Sequence, residues 1–206
     1  PNAGKSSIVN RFTGEARVIV SDMPGTTRDS VDTYVKNKYG EYIFVDTAGI
    51  RRNAKIEDRV ERFSVIRANS AVEKADVCIV MIDAQEGVTA QDERIAGLAH
   101  NAGKASIIVI NKWDTLEKDN TSVPKFKKQV LDALTYMRYA PTAFVSALTG
   151  QRVEKLYPMI NEVYANARRR ITTGLLNDFL SEIMARVQPP SDKGRRLRIY
   201  YMTQTG

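Results

Sequence analysis

Short apolar runs recur along the chain, at Tyr42-Ile43-Phe44-Val45, Val77 to Ile82, Ser106 to Ile110 and Thr142 to Val145, and each gives way to polar loop residues and then a helix-period segment. That rhythm predicts parallel strands joined by crossover helices. Upstream, Val31-Asp32-Thr33-Tyr34-Val35 and Tyr42 to Val45 flank Lys38-Tyr39-Gly40-Glu41. The pattern predicts a hairpin that adds one antiparallel edge strand. The expected fold class is α/β, a three-layer α/β/α arrangement around a mostly parallel sheet.

Further along, Val153, Leu156, Ile160, Val163 and Tyr164 stand at helical spacing, predicting a closing helix from Gln151 to Arg168. The basic triplet Arg168-Arg169-Arg170 marks a boundary, so the chain is read as domains 1–168 and 169–206. Beyond it, Thr172-Thr173 offers an N-cap, and Leu175, Leu176, Phe179, Leu180, Ile183, Met184 and Val187 form one face of an amphipathic helix. Pro189-Pro190 stops that helix. A basic turn from Lys193 then leads into a strand over Arg195 to Tyr201.

Charge sharpens this division. The net charge is +7, and residues 168–206 hold eight Lys or Arg against three acids, so the smaller domain carries most of the basic excess. A polyanionic partner for that domain is one reading, and a solvated basic face is the other. The single cysteine, Cys78, lies inside an apolar run, which excludes a disulfide framework and makes a reducing, cytoplasmic setting the natural one, with Cys78 a buried thiol. No stretch approaches the roughly 20 apolar residues needed to cross a bilayer. The chain opens on Pro1 rather than Met and closes at Gly206 just after a strand-like run, and is read as an excerpt of a longer protein.

The chemistry begins at the first residues. Pro1-Asn2-Ala3-Gly4-Lys5-Ser6-Ser7, followed at once by the helix-like run Ile8-Val9-Asn10-Arg11-Phe12, is the second half of a P-loop, G-x-x-x-x-G-K-[ST]. Gly4 lets the backbone approach phosphates, Lys5 reaches the β- and γ-phosphates, Ser6 offers a hydroxyl to Mg²⁺, and the helix N-terminus adds its positive end. A second element, Asp46-Thr47-Ala48-Gly49, ends a strand, where Asp46 can hold Mg²⁺ through water and the Gly49 amide can sense the γ-phosphate.

Asn111-Lys112-Trp113-Asp114 follows the Ser106 to Ile110 strand. The Asp114 carboxylate can accept from both N1–H and the amino group of guanine, a pairing adenine cannot return. Asn111 ties this loop to the phosphate loop, and the Lys112 stem covers the face of the base. After the last strand, the backbone amides of Ser146-Ala147-Leu148 are placed to meet the guanine oxygen. Between the first two elements, Asp22-Met23-Pro24-Gly25-Thr26-Thr27-Arg28-Asp29 reads as a switch loop, with Thr27 closing on Mg²⁺ when the γ-phosphate is present. These elements together read as a Mg²⁺-dependent GTP site, with Lys5, Thr27 and Gly49 as the catalytic groups and GTP or GDP as the ligand.

These residues resemble the Era/TrmE/EngA group of translation-associated GTPases and are most similar to the second GTPase domain of the EngA (Der) family. The likeness runs through Asp46 to Arg52, Phe63 to Ala68, Gln91 to His100 and the Trp113 form of the base motif. The tail Gly194-Arg195-Arg196-Leu197-Arg198-Ile199-Tyr200-Tyr201 resembles the start of that family's C-terminal KH-like domain, a partial α+β unit here. The resemblance implies a bacterial P-loop NTPase acting in assembly of the large ribosomal subunit, with a preceding G domain in the parent protein, rRNA as partner, and no DNA or membrane. It implies that the G domain present here lacks its first strand.

Many small GTPases place a Gln after D-T-A-G to orient the attacking water, whereas Ile50 stands here, so slow intrinsic turnover is expected. In K⁺-stimulated relatives the position matching Asn2 ligates potassium in the place of an arginine finger, which implies K⁺ stimulation. Arg28, Arg51 and Arg52 are alternative charge donors. His100 lies far from the motifs. For the basic tail, Arg195, Arg196 and Arg198 are the expected RNA contacts. Two other readings stand beside this one: a nucleotide-gated ribosome- or RNA-binding module with negligible hydrolysis, and a tRNA-modification GTPase of the TrmE type.

Overall fold

The computed structural model describes residues 3–14, 17–18, 32–45, 68–117, 119–187, 189–192 and 195–205. The chain divides into two compact units, Pro1–Ala167 and Arg168–Gly206.

At the centre of the larger unit lies a parallel sheet of β4 (Val77–Asp83), β5 (Ala105–Asn111) and β6 (Thr142–Phe144), with β5 in the middle. Residues Val77 to Asp83 pair in step with Ala105 to Asn111, and Ile108 to Ile110 with Thr142 to Phe144. Three of the four runs read as parallel strands form this sheet; the fourth, Tyr42 to Val45, falls largely in an antiparallel strand of a separate sheet. Every residue from Ser106 to Asn111 is buried, because layers cover both faces of the strand. Successive side chains of a strand point to opposite sides. Ile108 and Ile110 therefore join one core with Val80, Ile82, Ala96, Trp113, Val130, Leu134 and Met137, and Ile107 and Val109 join another with Ile8, Phe12, Val153, Leu156 and Tyr157. Each buried Val, Leu, Ile, Phe or Met side chain among them contributes about 1.5–3 kcal/mol by leaving water.

The helices supplying those layers are α1 (Lys5–Gly14), α2 (Ala90–Asn101), α3 (Ser122–Ala133) and α4 (Leu156–Ala167), with a further helical stretch over 68–74. Thr89 caps α2 in a reciprocal box: its side chain accepts from the Asp92 amide while the Asp92 carboxylate accepts from the Thr89 amide. The closing helix α4 starts at Leu156 rather than Gln151. Gly150 (φ +83°) and Arg152 (φ +61°) are left-handed, so residues 151–155 form turns, and Val153 reaches the core from a turn.

The expected hairpin forms as β2 (Thr33–Asn37) and β3 (Gly40–Phe44), antiparallel around Lys38-Tyr39, but among the described residues it pairs with no strand of the parallel sheet, so it adds no edge strand there and belongs to a sheet of its own. The Asn37 side chain accepts from the Tyr39 amide at 2.8 Å and closes the turn. A short strand β1 (Arg17–Val18), absent from the sequence expectation, pairs with β2. The hairpin docks through aromatic rings: Phe44 stacks on Phe12 of α1 at 4.9 Å, and Tyr39 and Tyr42 meet Tyr157 of α4. Tyr42 Oη donates to Asn161, whose side chain donates to the Tyr39 carbonyl.

In the smaller unit, α5 (Thr173–Arg186) follows Thr172 and ends at Val187, matching the predicted helix. Asn177 ties the chain end back to it, donating to the Met202 carbonyl at 3.0 Å and accepting from the Met202 amide at 2.9 Å. The predicted strand after Lys193 forms only in part: β7 (Ser191–Asp192) pairs with β8 (Arg195–Arg196), and residues 197–201 continue outside any ladder. Among the described residues no strand lies beside 197–201, and apolar β-formers without a cross-strand partner do not make a sheet. Among the described residues no helix is long and apolar enough to cross a membrane.

Candidate functional site

The loops at the carboxyl ends of β5 and β6 converge on the start of α1, and Asn111 joins them. This buried residue closes β5, and its Nδ2 donates to the Ala3 carbonyl at 2.8 Å while its Oδ1 accepts from the Ala147 amide at 2.9 Å. One carboxamide thus links residues 108 and 36 positions away. Gly4 has φ +84°, and a Cβ there would stand 2.2 Å from Asn111 Nδ2, so only glycine fits beneath that side chain.

From Gly4 the chain enters α1, whose first bond runs from the Ile8 amide to the Gly4 carbonyl. The first turn of α1 holds no acid, so the helix presents a positive end there that suits an anion. Lys5 is exposed there with no carboxylate partner among the described residues, while Ser6 and Ser7 complete the turn.

On the other side, Lys112 is left-handed at φ 60° and opens the short 3-10 turn Trp113–Thr115. Its ammonium lies 2.5 Å from Asp83 Oδ2, and Asp83, buried at the end of β4, also accepts from the Gln85 amide. The pair fixes where the Lys112 stem runs. Asp114 Oδ1 is buried and has no hydrogen-bond partner among the described residues. A buried carboxylate oxygen left unpaired costs about 1–3 kcal/mol, which marks a place where a donor is missing.

Trp113, expected among the nucleotide-binding residues, turns its indole away. The ring is buried edge-on against Phe126 and Phe144, and its amide donates to the Val145 carbonyl. A large apolar ring gains more from that core than from a polar site, so its part is to anchor the loop. In the Ser146–Leu148 segment the Ser146 amide donates to Gln151 and the Ala147 amide to Asn111, so two of the three amides expected to meet a ligand oxygen hold the loop together. The Leu148 side chain is largely exposed.

Two contributors escaped the sequence reading. Asp83 had a signal, an acid ending a buried strand, the same logic applied to Asp46. Arg11 had none: it reaches from α1 to the carbonyls of Ala147 and Leu148, more than 130 positions away. Asn2, Thr27, Arg28, Asp46, Thr47, Ala48, Gly49, Ile50, Arg51 and Arg52 lie outside the described residues. Burial raises the Cys78 thiol above its ordinary range; it is half-buried rather than fully enclosed. His100 sits in the last turn of α2 beside Tyr136 and Tyr139.

Comparison with known proteins gives a consistent picture. A family model described as 50S ribosome-binding GTPase matches residues 1–112, and one described as the KH-domain-like C-terminal part of EngA bacterial GTPases matches residues 170–206. The chain is 58% identical to the GTPase Der of Acetivibrio thermocellus over 205 residues, 100% of this chain and 47% of that protein. It is 59% identical to the GTPase Der of Ruminiclostridium cellulolyticum over 206 residues, again 47% of that protein. The chain spans about half the length of the curated relatives it matches. A crystal structure of an Aquifex aeolicus Era variant bound to GDP and aluminium fluoride is similar at a TM-score of 0.59 and 28% identity, covering 79% of this chain and 54% of that one. The elongation factor SelB of Methanococcus maripaludis shares the fold, with a TM-score of 0.61 at 18% identity, over 84% of this chain and 33% of that one.

Proposed function

We propose, for a chain that belongs to the family of 50S ribosome-binding GTPases, that it binds guanine nucleotides between Lys5 and Asp114 and hydrolyses GTP in the service of large-subunit assembly in the bacterial cytoplasm. The observation that carries this reading is the buried, unpaired Asp114 Oδ1, held in a loop that Asn111 ties to the start of α1. The N1–H and amino group of guanine supply the donors that this oxygen lacks, and adenine presents an acceptor at the first of those positions. At the opposite pole, Gly4, Lys5, Ser6, Ser7 and the positive end of α1 offer backbone donors and one ammonium to a triphosphate, and Ala3 is fixed by Asn111.

The phosphate pole also suits a hard cation. Ser6 stands in the first turn of α1, and with Asp46 and Thr27 it makes an all-oxygen donor set of the kind Mg²⁺ prefers. When bound there, Mg²⁺ supplies positive charge against the terminal phosphate oxygens. Lys5 holds the β- and γ-phosphates, the Gly49 amide and Thr27 answer to the γ-phosphate, and Ile50 contributes no polar group to the attacking water. Thr47, Ala48 and Ile50, their neighbours in sequence, are assigned to the same nucleotide-binding set.

Because Ile50 cannot orient water, we assign the missing charge to K⁺ held through Asn2. GTPase rates compared in KCl and NaCl test this: a clear excess in KCl is expected, and equal rates rule it out. The smaller unit, through Arg195, Arg196 and Arg198, is assigned to rRNA contact, and the greater length of the relatives leaves room for a preceding G domain.

The base assignment is tested by calorimetry on the intact chain. GDP is expected to bind and ATP to fail as a competitor, and Asp114→Asn to weaken GDP about 10- to 100-fold while gaining xanthosine diphosphate. ATP displacing GDP as readily as GTP does, or unchanged base preference in the variant, overturns the reading.

A further inference from the structure

We propose that Arg11 is a positioning residue for the base-side loop, clamping residues 146–150 to the helix that carries Lys5. The Arg11 Nε donates to the Ala147 carbonyl at 3.3 Å and its Nη2 to the Leu148 carbonyl at 2.5 Å. Its guanidinium lies against Gly150, where a Cβ would stand 3.3 Å from Cζ and 3.4 Å from Nε. Gly150 is also left-handed at φ +83°, so both its backbone and its missing side chain suit the arginine above it. Ala147 is thereby pinned at both ends, its amide by Asn111 and its carbonyl by Arg11.

Arg11 has no carboxylate partner among the described residues, so its charge is directed at these carbonyls, where charge-assisted bonds are roughly twice as strong as neutral ones. It stands six positions along α1 from Lys5, a rise of about 9 Å along a rigid rod. Asn111 links the base loop to the phosphate loop from one side, and Arg11 links it to the phosphate-binding helix from the other. The two poles of the ligand are then carried by one body, and losing the clamp frees the loop that meets the base while leaving the phosphate pole intact.

This inference rests on the guanine site proposed above. It requires that Arg11 act on binding of the whole nucleotide, equally for GDP and GTP, and not on the chemical step. The test uses Arg11→Met, which keeps the stem and removes the donors, Arg11→Lys, which restores one donor, and Gly150→Ala, which obstructs the clamp from the loop side. In Arg11→Met, release of N-methylanthraniloyl-GDP is expected to quicken about tenfold and KM for GTP to rise by a similar factor. The kcat is expected to stay within about twofold and inhibition by inorganic tripolyphosphate to stay unchanged. Arg11→Lys should lie between, and combining Arg11→Met with Gly150→Ala should add little to either alone.

Wild-type release rates in Arg11→Met overturn the proposal. So does a fall in kcat equal to the rise in KM, or an equal loss of tripolyphosphate inhibition, since each places the damage in α1 itself. A wild-type chain that retains no fluorescent GDP overturns the guanine site as well, which separates that failure from failure of the clamp.

Discussion

Strand β5 and helix α5 both carry runs of large apolar residues, yet they meet different fates. Ile107, Ile108, Val109 and Ile110 are each 0% exposed, whereas Leu175, Phe179 and Val187 are each more than half exposed and no residue of α5 is buried. Every one of these residues would gain free energy by leaving water. What differs is cover: β5 lies between two helical layers and two neighbouring strands, and α5 is held mainly by hydrogen bonds from Asn177 to the Met202 segment. A hydrophobic pattern tells which face of an element wants cover, and the tertiary partner decides whether it gets it.

The sharpest way to test that contrast is to truncate one side chain from each region. Ile108→Ala should cost about 2–5 kcal/mol in urea unfolding, because the site is enclosed on all sides, while Phe179→Ala should cost less than about 1 kcal/mol. Equal losses would show that the α5 stripe is covered in solution.

Glycines offer a second comparison with opposite signs. Gly4→Ala forces a left-handed residue and drives a Cβ into Asn111, so about 1–3 kcal/mol of strain and a fall in GDP affinity of at least tenfold are expected by calorimetry. Gly174→Ala opens into free space within a helix and should raise stability by about 0.5–1 kcal/mol, read from the thermal midpoint.

The smallest effect lies in pH. Asp119 accepts from the Thr121 amide and from the Thr121 and Ser122 hydroxyls just ahead of α3, and these bonds hold its carboxyl at about 2, below the ordinary 3.8. Folding therefore favours the ionised form. Its contribution is complete above about pH 4 and is lost as pH falls through about 2. Amide resonances of Thr121 and Ser122 should titrate over that window, and Asp119→Asn should flatten them. Unchanged resonances down to pH 2 would remove Asp119 from the helix start.

Much of the larger unit was legible because its strands are apolar runs bounded by polar loops, and the motif residues sit at the ends of those strands. Val77 to Ile82 and Ser106 to Ile110 could hardly be anything but buried strands next to helical segments. Where the reading missed, non-local or left-handed backbone decided the outcome. Helical spacing from Val153 onward extended the closing helix across Gly150 and Arg152, whose positive φ no periodicity reveals. The β-forming run after Arg196 has no strand to pair with among the described residues. In the site, Asn111 and Asp114 announce themselves by motif and Asp83 stands where an apolar run ends, whereas Arg11 is found only through partners that folding brings to it. Trp113 belongs to the motif by sequence and to the core by contact.

Lys112 holds a left-handed backbone, with its ammonium engaged by Asp83. A non-glycine residue in that region costs about 1–3 kcal/mol of conformational energy. Lys112→Gly should therefore yield a sturdier but less capable molecule, easing the backbone while discarding the stem assigned in the proposed site to the face of the purine, in the manner of sites where endurance is traded for readiness. The contacts of Lys112 with Asp83 and of Asn111 with Ala3 and Ala147 fix the backbone of the loop that, in the proposed site, faces the base.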